Sequence, residues 1–182
     1  MSYEIIVKHC APTLAGLKMG NLFSYQYESD NILNEQISHN NALLNKRGIY
    51  FLVLRRKNKI ALVYVYRKDS LQKLLRTQKI QRFLDEYDYS EYSTASCLNL
   101  LEQHLVTEDF PHEIGIFLGY PLEDVKDFIK HKGSNYKHVG FWKVYNNLSD
   151  ALITFERYRK CTNIYCKRFS EGYDISKLTV ST

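Results

Sequence analysis

The chain has 182 residues, of which 45% are hydrophobic and 25% charged, so we expect one globular domain over residues 1–182 and no linker-separated second domain. No run approaches the roughly 18 apolar residues of a membrane span, and the first residues lack the pattern of a signal peptide, so we expect a cytoplasmic protein without membrane contact. The formal net charge of +5 permits an anionic partner without requiring one.

The first elements alternate between helix and strand. Residues 3–8 form a short apolar piece that fits a strand or a helix. Pro12 suits the first turn of a helix, so we predict a helix that begins there and runs through Lys18. Residues 21–27 follow as an edge strand. Asp30 then suits the N-cap of a helix that Gly48 closes and whose inner stripe is Leu33, Ile37, Asn40 and Leu44.

Residues 49–67 contain the clearest pattern in the chain. Two apolar runs, IYFLVLR and IALVYVYR, flank the basic turn RKNK, which predicts a β-hairpin. Because both faces of both strands are apolar or aromatic, we expect this hairpin to be central and covered on each side. Leucines and aromatic residues at helical spacing then predict helices after Asp69 and over residues 92–106.

The stretch FPHEIGIFLGYPLEDVK, residues 110–126, predicts a strand, a tight turn and a helix. Side chains of a strand alternate between two faces. One face of this predicted strand carries Glu113, Gly115, Phe117 and Gly119. The two glycines leave a shallow slot beside Phe117, which suits either a ligand or a closely packed helix, and the sequence leaves both explanations open.

The run VGFWKVY, residues 139–145, predicts the last strand and places Lys143 on one face with apolar neighbours. A long helix follows from Ser149 until Gly172 stops it. Together the elements predict an α+β fold, with a mixed, mostly antiparallel sheet of four to five strands and helices packed on its faces.

The first candidate site lies at the start of the first predicted helix and comprises His9, Cys10, Thr13, Lys18 and Asn21. A thiol at the positive end of a helix, beside a cation, ionises more readily. Cys10 is therefore a candidate nucleophile supported by His9, Thr13 and Lys18, with Asn21 contacting a ligand. Alternatively, Cys10 and His9 are ordinary packing and hydrogen-bonding residues, since the four cysteines are scattered as in a reducing compartment.

His112 and Glu113 form a second candidate, an acid/base pair at the mouth of the predicted strand. A surface loop explains this pair equally well. The predicted ligand contacts nearby are Gly115, Gly119, Tyr120 and Lys143. Neither C-x-x-C nor H-E-x-x-H occurs, so no metal site is predicted, and no phosphate loop or dinucleotide fingerprint identifies a cofactor.

Three segments, HCAPTLAGLK, FPHEIGIFLGYPLEDVK and GFWKVY, resemble an uncharacterised family of proteins, a domain of unknown function, from anaerobic Gram-positive bacteria. The resemblance covers nearly the whole chain. It implies bacterial origin and a redox or iron-related setting, but it transfers no catalytic residue.

Two functions of different class follow as hypotheses. The first is a small thiol-containing enzyme or redox accessory whose polar cleft is formed by residues 9–21 and 110–124. The alternative is a non-catalytic binding module for a small anionic ligand, a flavodoxin-like protein, or a haem- or iron-linked ligand. The sequence does not favour nucleic-acid binding, because the aromatic residues that can be placed lie on inward stripes rather than on an open platform.

Overall fold

The structure, a computed structural model, describes residues 1–106 and 110–181. Its centre is an antiparallel sheet in which β3 (Ile60–Arg67) lies between β1 (Gly20–Gln26) and β2 (Ile49–Lys57). The helices are α1 (Tyr3–Leu14), α2 (Asp30–Leu44), α3 (Lys68–Leu75), α4 (Gln78–Asp85), α5 (Thr94–Val106), α6 (Ile114–Phe117), α7 (Leu122–Lys130), α8 (Leu148–Ser170) and α9 (Ile175–Leu178). The predicted α+β class is confirmed.

The predicted central hairpin is confirmed in β2 and β3. Asn58 and Lys59 form its turn with φ angles of 52° and 60°, which suit the twist of a two-residue hairpin turn. Leu54 bulges out of the register between Val53 and Arg55 and is fully buried. The hairpin is covered on both faces, as its apolar strands predict.

Helices form a layer on each face of this sheet. Helices α1, α2 and α9 and the C-terminal half of α8 pack against the face that carries Phe23, Phe51 and Val63. Helices α3 to α7 pack against the opposite face, which carries Leu22 and Tyr64. β1 therefore sends neighbouring side chains into two separate cores.

The prediction of one sheet with four to five strands is wrong. Among the described residues, three strands form the central sheet, and β4 (His138–Val139) and β5 (Lys143–Val144) form a separate two-residue ladder. The run VGFWKVY does not form one strand because residues 140–142 make the turn, where the Gly140 N–H donates to the Trp142 carbonyl at 3.0 Å. The Phe141 and Trp142 side chains then both pack on α8 instead of alternating.

The prediction of a helix that begins at Pro12 is also wrong. α1 begins at Tyr3, where the Ser2 hydroxyl accepts from the Ile5 N–H at 3.4 Å, and it ends at Leu14 with Pro12 inside it. The N-cap and the burial of an apolar stripe outweigh the single hydrogen bond that a proline removes near a helix end. The ambiguous piece over residues 3–8 is therefore helical.

The strand predicted within residues 110–119 is wrong as well. This segment forms a turn and the short helix α6, and Gly119 ends it with a φ of 75°. The Ile114–Leu118 side chains are buried on all sides, so no strand-like alternation exists. A short apolar run has no period that distinguishes a buried strand from a buried helical turn.

Candidate ligand pocket

A cavity of about 370 Å³ opens between α7, the segment 110–120 and the β4–β5 hairpin. Its lining is almost entirely apolar. The aromatic lining residues are Phe110, Tyr120, Phe128 and Trp142, and the aliphatic ones are Leu22, Ile114, Leu118, Val125 and Val139. Cavities of this size and composition are typical of small-molecule sites.

Asp124, in the first turn of α7, fixes one wall of this pocket. Its buried carboxylate accepts from Trp142 Nε1 at 2.8 Å through Oδ2. Its Oδ1 accepts from the backbone N–H groups of Tyr145 at 3.1 Å and Asn146 at 2.9 Å, and from Asn146 Nδ2 at 3.0 Å. Four N–H donors thus tie the hairpin to α7, so the pocket wall is held in place without a ligand.

The hairpin is also docked on α8. The Trp142 ring meets Phe155 edge-on at a centroid distance of 4.5 Å and lies 5.4 Å from Tyr120. A β-carbon at position 140 would lie 2.2 Å from a ring carbon of Phe155, so only glycine allows this close approach. The indole therefore stands as a rigid wall between the cavity and α8.

Lys143 and His112 are the polar side chains that sequence reasoning proposed and that line this pocket. Lys143 Nζ donates to the Gly133 carbonyl at 2.8 Å and lies 5.5 Å from the ring centre of Phe128 and 4.9 Å from that of Tyr136. The exposed His112 meets the Phe128 ring edge-on at 5.1 Å. Both side chains are held near the mouth by the same aromatic ring.

Two other predicted ligand contacts, Gly115 and Tyr120, also line the cavity, whereas Gly119 does not. A β-carbon on Gly115 would lie 2.8 Å from Val125, so this glycine lets α6 pack closely on α7. Gly119 has a positive φ and packs against Met19. At both glycines, close packing accounts for the bare side of the chain.

The predicted segments 9–21 and 110–124 do adjoin, through a buried lysine. Lys18 is 5% exposed, and its Nζ donates to the Gly20 carbonyl at 2.5 Å and lies 5.3 Å from the Tyr120 ring centre. Burial lowers the pKa of Lys18 to about 8. Lys18 contacts a pocket wall from behind but does not itself line the cavity.

The other members of the first candidate site have structural surroundings. The Thr13 hydroxyl donates to Asn21 Oδ1 at 2.7 Å, which ties the end of α1 to β1. His9 is exposed and stacks on Phe23 at 5.0 Å, and partial burial, with a smaller effect of Lys8, lowers the pKa of His9. None of these three residues lines the cavity.

Cys10 lies in the apolar stripe of α1 and is 0% exposed. Burial raises the pKa of the Cys10 thiol far above its ordinary value, although the charge of Lys18 acts in the opposite direction. The placement of Cys10 before a helix start is wrong, because Cys10 lies inside α1, about two turns after Tyr3, where the positive end of the helix dipole does not reach it. The geometric basis of the thiol hypothesis is therefore missing.

Glu113 does not pair with His112. The buried carboxylate contacts His104 Nδ1 at 2.7 Å and accepts from the Tyr89 hydroxyl at 3.4 Å. Burial and, second, the nearby Glu113 carboxylate raise the pKa of Tyr89. The predicted acid/base pair of neighbouring residues is replaced by a contact between α5 and the start of α6.

Sequence reasoning missed Asp124, Phe128 and Trp142. Asp124 looked like an ordinary acidic residue in a first helical turn, and only its partners far along the chain reveal its role. Trp142 is the single tryptophan of the sequence, which was the one available signal. Within the described ranges, no three His, Cys, Asp or Glu side chains are close enough to hold a metal ion.

The sequence model of one family, described as a protein of unknown function (DUF3793), matches residues 6–179. The chain belongs to the DUF3793 family. This confirms the predicted membership of an uncharacterised family, and every wall of the pocket lies inside the matched range. Comparisons with curated proteins and with solved structures gave no match. In the part of this family member that the structure describes, no helix is long and apolar enough to cross a bilayer.

The burial of the thiols predicts their order of reaction. Treating the folded protein with N-ethylmaleimide is expected to modify the half-buried Cys166 first and the buried Cys10 only as the protein unfolds. Peptide mass spectrometry after increasing exposure times measures the order. Cys10 reacting as fast as Cys166 would contradict this expectation and would restore the thiol hypothesis.

Proposed function

We propose that the protein is a non-catalytic binding module that holds a small, largely apolar ligand between α7 and the β4–β5 hairpin. The observation that carries the proposal is the preformed cavity of about 370 Å³ with aromatic walls. Asp124 and Trp142 support it, because their hydrogen bond fixes the wall before a ligand arrives. A pocket that needs no rearrangement loses little free energy to ordering when it binds.

The polar groups of the pocket favour binding over catalysis. The Asp124 carboxylate already accepts four hydrogen bonds, so it is poorly placed to take a proton from a substrate. Lys143 Nζ is engaged by the Gly133 carbonyl. The thiol-enzyme hypothesis, the flavodoxin-like partner and the haem- or iron-linked ligand stay predictions that no contact of this pocket favours.

N-phenyl-1-naphthylamine, an uncharged aromatic dye, is the probe we would use for the pocket. Its binding is expected to quench Trp142 fluorescence, because the single tryptophan lines the cavity. Val139→Glu is expected to weaken dye binding about tenfold or more, because it places a charged side chain, directly opposite Lys143 in the β4–β5 ladder, on a wall that the uncharged dye contacts. A fluorescence titration of each variant measures the dissociation constant.

Val180→Glu is the matched control. Val139 and Val180 are 51% and 50% exposed, and Val180 belongs to the C-terminal segment rather than to the cavity lining. Val180→Glu should leave the dissociation constant unchanged. No saturable quenching in the unsubstituted protein, or equal weakening by both substitutions, would overturn the proposed function.

A further inference from the structure

We infer that the ligand of this pocket is an amphipathic carboxylate, whose apolar body fills the cavity while its carboxylate pairs with Lys143 at the mouth. This inference rests on the proposed function and specifies its ligand. The aromatic walls determine the apolar part of the ligand. The charged side chains of the lining, Asp124 and Lys143, determine which polar group the ligand carries.

Asp124, the acidic residue of the lining, repels an anionic ligand only weakly. All four donors to Asp124 lie within 3.1 Å of its carboxylate oxygens, and three of them belong to the hairpin backbone and the Trp142 indole. Hydrogen bonds of this kind stabilise the negative charge where it lies. The carboxylate is buried and both of its oxygens already accept hydrogen bonds, so it is a weak partner for a cationic ligand.

Lys143 contributes a positive charge that is not offset in the same way. An ammonium group has three N–H donors, and the Gly133 carbonyl at 2.8 Å takes one of them. No carboxylate forms an ion pair with Lys143 among residues 1–106 and 110–181. The rings of Phe128 and Tyr136 hold the ammonium group without neutralising it.

The position of this cation favours a ligand with one negative charge. The Lys143 side chain is half-buried beside apolar walls, where an ion pair is stronger than in water. The lining carries one lysine, so a doubly charged phosphate would leave one of its charges without this cationic partner beside the apolar walls. A carboxylate needs only one cationic partner, which Lys143 supplies.

Competition between two probes with equal carbon chains tests the inference. Decanoate and decan-1-ol are each titrated against protein that holds N-phenyl-1-naphthylamine. Decanoate is expected to displace the dye at a concentration about tenfold lower than decan-1-ol, which corresponds to roughly 1.4 kcal/mol. The comparison uses the unsubstituted protein, so it does not depend on whether a variant folds.

Substitutions of Lys143 test whether this side chain causes the preference for decanoate over decan-1-ol. Lys143→Gln keeps an N–H donor for the Gly133 carbonyl and removes the charge, so decanoate should lose its advantage. Lys143→Arg should retain it. Lys137→Met is the control, because Lys137 donates to the Asn146 carbonyl on the same hairpin but does not line the cavity.

The outcomes separate the two proposals. If the dye does not bind the unsubstituted protein, the proposed function fails and the inference fails with it. If the dye binds in the pocket but decan-1-ol competes as well as decanoate, the pocket stands and the carboxylate inference is overturned. A preference for decanoate that persists in the Lys143→Gln variant also overturns the carboxylate inference.

Discussion

Replacing Asp124 by alanine is expected to lower the free energy of unfolding by about 3–5 kcal/mol and to abolish ligand binding. The substitution removes the acceptor for four N–H donors at the junction of α7 and the hairpin. Tyr145 is buried and Trp142 is half-buried, so water cannot replace the lost partner fully at these two donors, whereas Asn146 is exposed. The Trp142 wall would lose its anchor at the same time.

Urea unfolding followed by circular dichroism and by Trp142 fluorescence measures the effect. Asp127→Ala is the matched control, because Asp127 lies one turn further along α7 and its side chain accepts, among residues 1–106 and 110–181, from Asn146 Nδ2 alone, at 3.0 Å. We expect this control to change stability by about 0.5–1 kcal/mol. Similar losses in both variants would show that Asp124 has no special role in holding the hairpin.

Replacing Arg67 by alanine is expected to cost about 3–5 kcal/mol of stability. Arg67 is fully buried, and its guanidinium donates to the carbonyls of Thr13 and Leu14, both at 2.7 Å, and of Val180 at 2.9 Å. The first two carbonyls belong to the last turn of α1, where no intrahelical partner is available and the helix dipole favours a cation. Without Arg67, each of these carbonyls keeps one donor, the Gly16 N–H at 3.2 Å for Thr13 and the Val180 N–H at 2.9 Å for Leu14, but loses its charge-assisted hydrogen bond in a buried site.

Arg47→Ala provides the comparison for Arg67. Arg47 also binds the C-terminal segment, through the Thr179 carbonyl at 3.0 Å and the Ser181 hydroxyl at 3.3 Å, but it is only half-buried. Water can replace its contacts, so we expect a loss of about 1 kcal/mol or less. Chemical denaturation measures the free energy of unfolding of both variants. If Arg47→Ala lowers it as much as Arg67→Ala does, the burial argument is contradicted.

The fold was predictable where the pattern is local. The strands of residues 49–67, their tight turn and the stripe of α2 follow from spacings of a few residues, and all appear where they were expected. The start of α1 was not predictable in this way. Pro12 fits the first turn of a helix, whereas the cap at Ser2 and burial against the sheet place the start at Tyr3. That burial depends largely on β3 and α8, which lie more than forty positions further along the chain and which a local pattern does not contain.

The candidate site was predictable in part for the same reason. His112, Gly115, Tyr120 and Lys143 were singled out and do line one cavity, although the predicted strand that led to three of them does not exist. Their convergence depends on Asp124, whose partners lie about twenty residues away. Partners of this kind follow from the docking of α7 on the hairpin and have no signature in the spacing of the residues.

The position of α1 has a consequence for synthesis. The first helix lies between the central sheet and α8, and the carbonyl at its end binds the N–H of Val180. On the ribosome, the apolar residues of α1 emerge well before α8, the helix that covers them, which begins only at Leu148. A nascent chain that has reached β3 can form its hairpin, but one flank of the N-terminal helix stays exposed to water until α8 emerges. That half of the core is therefore completed late in translation, and binding by a chaperone would be needed most during this interval.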